Sequence, residues 1–189
     1  MTDILESLYQ DHVHMARITA VAESELASIE AGQNADLEML EDIMCYGTSY
    51  PDIVHHPNED IVFKQLKLRL PDAADEVDAI LSEHLQVAAT GIRFLEAIQA
   101  IREDTVMIRD AFVLIGRDYL SLLDRHMNTE ESRLFPLAQD ALTVQDWRQL
   151  NERIEQRPDP MFGNSLDEDY RRLRQRIETH RADKYDVPV

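Results

Sequence analysis

Two histidines, His55 and His126, each stand four residues before a glutamate, Glu59 and Glu130, and each glutamate is followed by a second acid, Asp60 or Glu131. On a helix, residues four apart lie one turn apart on one face, so each pair can aim an imidazole and a carboxylate into the same space. Upstream of the two pairs, by 43 and 42 residues, come the acid–histidine steps Asp11-His12 and Glu83-His84. The chain therefore carries one donor set twice. Four imidazoles and two carboxylates suit two first-row ions, with nitrogens terminal and carboxylates able to bridge and offset charge, and iron is the natural candidate.

A single histidine on an apolar stripe is ordinarily a hydrogen-bonded core residue, and a single His-x-x-x-Glu is ordinarily a side-chain pair. Four histidines at matched positions differ, because burying them with two carboxylates and no cation would leave costly unpaired polar groups. The expected metal ligands are His12, His55, Glu59, His84, His126 and Glu130. Pro57 disfavours regular helix just before it and can turn either His55 or His56 inward; the four-residue spacing to Glu59 favours His55 and leaves His56 as the alternative. Tyr119, seven residues before His126, lies two turns away on the same face, either beside the metals or as a core tyrosine among Phe112, Ile115 and Leu122. His14 faces away from His12, and His180 lies in a charged terminal stretch, so neither is expected to bind metal. No residue stands out as catalytic.

Positioning these donors needs long helices. Leu5, Leu8, His12, Met15, Thr19, Ala22, Leu26 and Ile29 alternate steps of three and four, the core stripe of a bundle helix, with Gly32 and Asn34 as a stop. A second helical stretch is expected from Asp36 to Leu70, interrupted at Pro51 and Pro57, and a third from Asp72 to Ile101. Ile108, Phe112, Ile115, Tyr119, Leu122 and His126 mark a fourth, continuing toward Leu137. A short helix at Trp147 to Glu155, a loop at Pro158 to Gly163 and a charged helix at Asp167 to Arg181 complete the chain. The expected fold is all-α: an up-down-up-down four-helix bundle over residues 1–140, with a helical extension over 141–189 packed on it.

Composition narrows the partners. A net charge of -18, from 37 acidic and 19 basic residues, repels phosphate backbones and anionic lipid, so neither nucleic acid nor membrane is an expected partner. No apolar leader or spanning stretch is evident, which points to the cytoplasm. The lone Cys45 is expected to be a buried or inert thiol.

At Asp11-His12, His55-His56-Pro57-Asn58-Glu59-Asp60, Glu83-His84 and His126-Met127-Asn128-Thr129-Glu130-Glu131, with Leu134-Phe135-Pro136 beyond, the chain resembles the hemerythrin/HHE cation-binding family over about residues 1–140. The resemblance implies a four-helix bundle with an oxo- or hydroxo-bridged di-iron centre that handles dioxygen, nitric oxide or iron itself, in a monomer or homodimer. Oxygen-carrying hemerythrins place two histidines a turn apart on the third helix; here Ala88 stands at that distance from His84, and the pattern is closer to bacterial iron-cluster repair and iron-sensing members. Residues 159–163, Asp-Pro-Met-Phe-Gly, are similar to a stretch in other bacterial members. The expected role is binding or sensing a diatomic ligand, or handling iron under oxidative or nitrosative stress, with open metal positions toward Ala88 and Gly91. The alternatives are a di-iron oxidase or peroxidase, against which stands the absence of any Glu-x-x-His, and a zinc-binding structural or regulatory bundle.

Overall fold

The computed structural model describes residues 2–155, 157–162 and 168–185, all helix or connecting turn. Helix α1 spans Asp3–Glu30, capped by the Thr2 hydroxyl accepting from the Leu5 amide, and it ends where Gly32 turns left-handed at φ 72°. Helix α2, Leu37–Gly47, starts at an Asp36 side-chain cap on the Met39 amide. A π-helical turn, Pro51–His55, leads into α3, His56–Arg69. A 3-10 turn at Pro71–Ala73 precedes α4, Ala74–Arg102. Helix α5, Arg109–Thr129, passes through a second π-helical turn, Glu130–Leu134, into α6, Phe135–Ala141. Thr143 and Asp146 close a capping box on α7, Val144–Arg153, and α8 covers Glu168–Tyr185.

Each π-helical turn ends two residues before a proline, Pro57 or Pro136. A proline inside a helix donates no hydrogen bond and its ring strikes the carbonyl four residues back; an i→i−5 turn just ahead relieves both problems and lets the helix continue. The bonds are present as His56 N–H to the Pro51 carbonyl and Phe135 N–H to the Glu130 carbonyl. Thus Pro57 widens the second helical stretch without interrupting it, whereas the turn at residues 48–49 separates α2 from the π-helical segment.

Helix α4 packs along α5 and against α2, α1 packs against α5 and α2, and α3 packs on α4 and α6. The interior holds two apolar clusters. Met15, Leu26, Leu40, Val87, Phe94 and Phe112 belong to one, and Leu5, Leu8, Val62, Phe63, Ile80 and Phe135 to the other. Along α1 and α4 the second cluster comes first; along α2–α3 and α5–α6 the order reverses. His12, His55, His56, Glu59, His84, His126 and Glu130 lie where one cluster gives way to the other along these stretches, forming one buried polar layer. Two expected core positions differ: Ile18 is buried in place of Thr19, and Ile108 is 76% exposed ahead of α5. Beyond the bundle, α7 packs on α3, and α8 on α1 and α2. Among the described residues no helix is long and apolar enough to cross a membrane.

Candidate metal centre

The polar layer gathers all six expected donors, each at most 6% exposed, together with His56 at 4%. Glu59 presents Oε1 to His55 Nε2 at 3.2 Å and to His12 Nε2 at 3.3 Å, while its Oε2 faces His84 Nε2 at 3.5 Å. Glu130 does the reverse, with Oε1 3.2 Å from His84 Nε2 and Oε2 3.3 Å from His126 Nε2 and 3.4 Å from His12 Nε2. Each carboxylate therefore spans imidazoles of both halves of the chain. Two compact groups of potential ligand atoms result: His12, His55 and Glu59, and His56, Glu59, His84 and His126, with Glu59 common to both.

The far nitrogens are held by a second ring of acids. Nδ1 of His12 meets Glu131 at 3.0 Å, that of His55 meets Asp11 at 3.1 Å, that of His84 meets Asp60 at 2.7 Å, and that of His126 meets Glu83 at 3.4 Å. His56 Nδ1 faces Asp52 at 3.2 Å. A carboxylate accepting from Nδ1–H fixes ring orientation and leaves Nε2 as the inward lone pair, the tautomer a metal ligand needs. The repeat is cross-stitched: the acid preceding each first histidine supports the second histidine of its own half, and the acid following each glutamate supports the first histidine of the other half.

The inward atoms lack partners. Among the described residues, nine buried side-chain polar atoms have no aligned hydrogen bond, and seven belong to this layer: Nε2 of His12, His55, His56 and His126, both oxygens of Glu59, and Oε2 of Glu130. At about 1–3 kcal/mol per orphaned group, the cost would rival the about 5–15 kcal/mol of a whole domain's stability. Cations between the two carboxylates would satisfy all seven, so the donor set fits a metal group.

A family model for the hemerythrin HHE cation binding domain matches residues 3–138. This chain belongs to that family. Neither a curated protein nor a solved structure matches it significantly. The matched span begins at the start of α1 and ends within α6, so it contains every donor of the polar layer.

Without a bound cation the hemerythrin layer distributes charge unevenly. Burial disfavours protonation of His12, but the bond to Glu131 and the Glu59 carboxylate beside the ring outweigh it and raise the pKa to about 8. At His55 burial is overcome by the Glu59 charge and the Asp11 bond, giving about 10; at His84, by bonds to Asp60 and Glu130 and by the nearby Glu59 carboxylate, giving about 11. His126 goes the other way, to about 2, through burial that Glu59 offsets only in part and that the charges on His84, His56 and His12 reinforce. Burial also lowers His56, despite Asp52. Burial would raise Glu59, yet His55, His12 and His84 hold it well below the carboxylate range, whereas burial and the Glu59 charge push Glu130 up.

Several expectations change. His56 and His55 both point inward, one into each group of potential donors: the widened turn ends at His55 and sets the neighbouring rings on either side of Glu59. The signal was the Pro57 just beyond, which marks a local departure from 3.6-residue winding. Ala88 is partly buried, the Gly91 position is filled by Tyr119 and Thr48, and Val87 lines the cavity beside the layer. Cys45 is exposed rather than buried; burial and then the Asp42 charge still raise its thiol pKa, which disfavours the reactive thiolate. His14 faces outward from the layer, stacked on Phe162 at 4.1 Å with Nδ1 3.5 Å from Asp159. The side chain of His180 lies outside the described residues.

Proposed function

We propose that this hemerythrin-type domain, an up-down-up-down four-helix bundle over residues 1–140 with residues 141–189 packed on it, holds two iron ions and binds or senses dioxygen or nitric oxide in the cytoplasm. Handling iron under oxidative or nitrosative stress is part of the same reading. The observation that carries it is the pair of carboxylates, Glu59 and Glu130, each facing imidazoles from both halves at 3.2–3.5 Å. The alternating order of the two apolar clusters along successive helical stretches supports the topology. His12 and His55 would hold one ion, and His56, His84 and His126 the other, with Glu59 and Glu130 between them.

When bound, iron would supply a redox couple and a position for a small ligand. The chain's own residues do the rest. With a cation bound, Asp11, Asp60, Glu83 and Glu131 would accept from Nδ1–H and leave each Nε2 to bind. The apolar clusters on either side exclude water and lower the local dielectric, which holds the donors to fixed positions.

Metal analysis of protein purified from iron-supplied cells, read with its absorption spectrum, tests this. About two irons per chain with oxo-to-iron charge-transfer absorption is the expected result. Stoichiometric zinc with a featureless visible spectrum would replace the reading with that of a structural or regulatory bundle.

A further inference from the structure

An apolar cavity of about 20 Å³ adjoins the polar layer between α1, α2, α4 and α5, reaching His56 at one end. On the scale where a single water needs about 10–15 Å³, it suits a ligand of one or two heavy atoms. Its walls are apolar, among them Ile18, Met44, Val87 and Leu123, and its polar groups can be accounted for one by one. The Thr19 hydroxyl already donates to main-chain carbonyls of its own helix, and the Tyr46 hydroxyl donates to Asp159 at 2.8 Å. Tyr119 makes no hydrogen bond to any described residue; burial and the charge of Asp52 are what act on its hydroxyl.

A buried tyrosine ordinarily finds a partner for its hydroxyl. This one is instead seated by two glycines on different helices. A Cβ at Gly91 would lie 3.1 Å from Tyr119 Cε2, and a Cβ at Gly47 would lie 3.1 Å from Tyr119 Oη. Glycine lowers helix stability, most of all in mid-helix as at Gly91, so two glycines making room for one ring show where the packing places that hydroxyl. Gly47 and Tyr119 both line the cavity. Asp52, 3.2 Å from His56 Nδ1, has a buried Oδ1 with no hydrogen bond; burial and then the Asp52 charge raise the Tyr119 pKa above the ordinary tyrosine value, at which the hydroxyl is already a donor near neutral pH.

We infer that Tyr119 is the specificity-determining residue of this cavity, its hydroxyl donating a hydrogen bond to a small acceptor-bearing ligand seated beside His56. The inference rests on the reading of the layer as an iron centre with a small-ligand position. Tyr119 selects among ligands by bonding those that can accept and offering nothing to those that cannot.

Full-length parent, Tyr119→Phe and Gly47→Ala are loaded with iron, and nitric oxide is the probe, released under a trap so that its dissociation is followed optically. Tyr119→Phe is expected to match the parent in iron content and melting temperature, and to release nitric oxide about tenfold faster, the factor corresponding to one lost hydrogen bond. Gly47→Ala keeps the ring but displaces its hydroxyl, and is expected to release nitric oxide faster too. In metal-free protein, xenon, which accepts no hydrogen bond, is expected to bind parent and Tyr119→Phe equally in xenon-129 resonance titrations. Equal release rates at matched iron content would overturn the role of Tyr119 and leave the iron reading intact. A fall in the melting temperature of metal-free Tyr119→Phe would overturn it as well, since the hydroxyl would then have a structural partner. A parent that takes up no iron would remove the iron reading and this inference together.

Discussion

The first half of the domain, α1 to α3, and the second, α4 to α6, present matching donors 71 or 72 residues apart, yet they are not equivalent. His56 and Asp52 in the first half have Met127 and Leu123 as counterparts in the second, where both are buried apolar residues. The π-helical turns differ as well: in the first half it ends at His55, before Glu59, and in the second it begins at Glu130, after His126. Duplication therefore accounts for the two-sided cage of four imidazoles and two carboxylates, and one added histidine makes the two sides unequal. His56 on α3 adds a fifth imidazole to the layer, where α4 carries Ala88 one turn beyond His84, and it borders the cavity that Tyr119 also lines.

The largest effects should come from the residues the halves share. Glu59→Ala and Glu130→Ala are each expected to lose most of both ions, whereas His14→Ala retains them, because either carboxylate faces histidines of both halves. Metal per folded chain checks this; loss of a single ion in each variant would mean that the halves bind independently. Next in size, His56→Met copies the second half into the first and should weaken one ion while sparing the other, seen as a two-step release under a competing chelator. Single-step release would show that the added histidine makes no difference between the sides.

The cross-stitched acids come third. Asp60→Ala and Glu131→Ala each remove support that one half gives the other, and about a 10- to 100-fold fall in metal affinity is expected, as for other supporting carboxylates. Competition titration against a chelator reads it. A proton count sharpens the same comparison: His12, His55 and His84 have pKa values raised to about 8, 10 and 11 in the metal-free layer. Cations bind the neutral rings, so loading near pH 7 must release protons and affinity must fall as pH falls. Loading in weakly buffered solution with no acidification would contradict that charge distribution.

The smallest expected effect lies outside both halves. Thr143→Ala opens the capping box of α7 and should cost about 1 kcal/mol, read as a lower urea midpoint with unchanged metal content. Asp146, bonded to Arg69, Thr143 and Gln65, has a depressed pKa, mainly through the Arg69 and Thr143 bonds. A depressed carboxylate stabilises above its unfolded pKa and loses that contribution as pH falls through the folded one. The attachment of α7 should consequently weaken only in acid, and Asp146→Asn should flatten the acid limb of the stability curve.

That His55 and Glu59, and His126 and Glu130, turn to common faces could be read from spacing alone, because a four-residue step on a helix commits two side chains to one face whatever surrounds them. Helix type and approximate extent came from the three-and-four periodicity, as at Leu5, Leu8, His12 and Met15. Spacing could not say that both His55 and His56 turn inward, since that depends on a π-helical turn, which Pro57 makes favourable but only packing between α4 and α6 fixes. Nor could it assign Asp11 to His55 or Glu131 to His12: those contacts join residues 44 and 119 positions apart, and pairing at such separations is set by how helices pack. The same holds for Tyr119, whose place two turns from His126 was legible but whose unpartnered hydroxyl depends on Gly47 and Gly91, two absent side chains on two other helices.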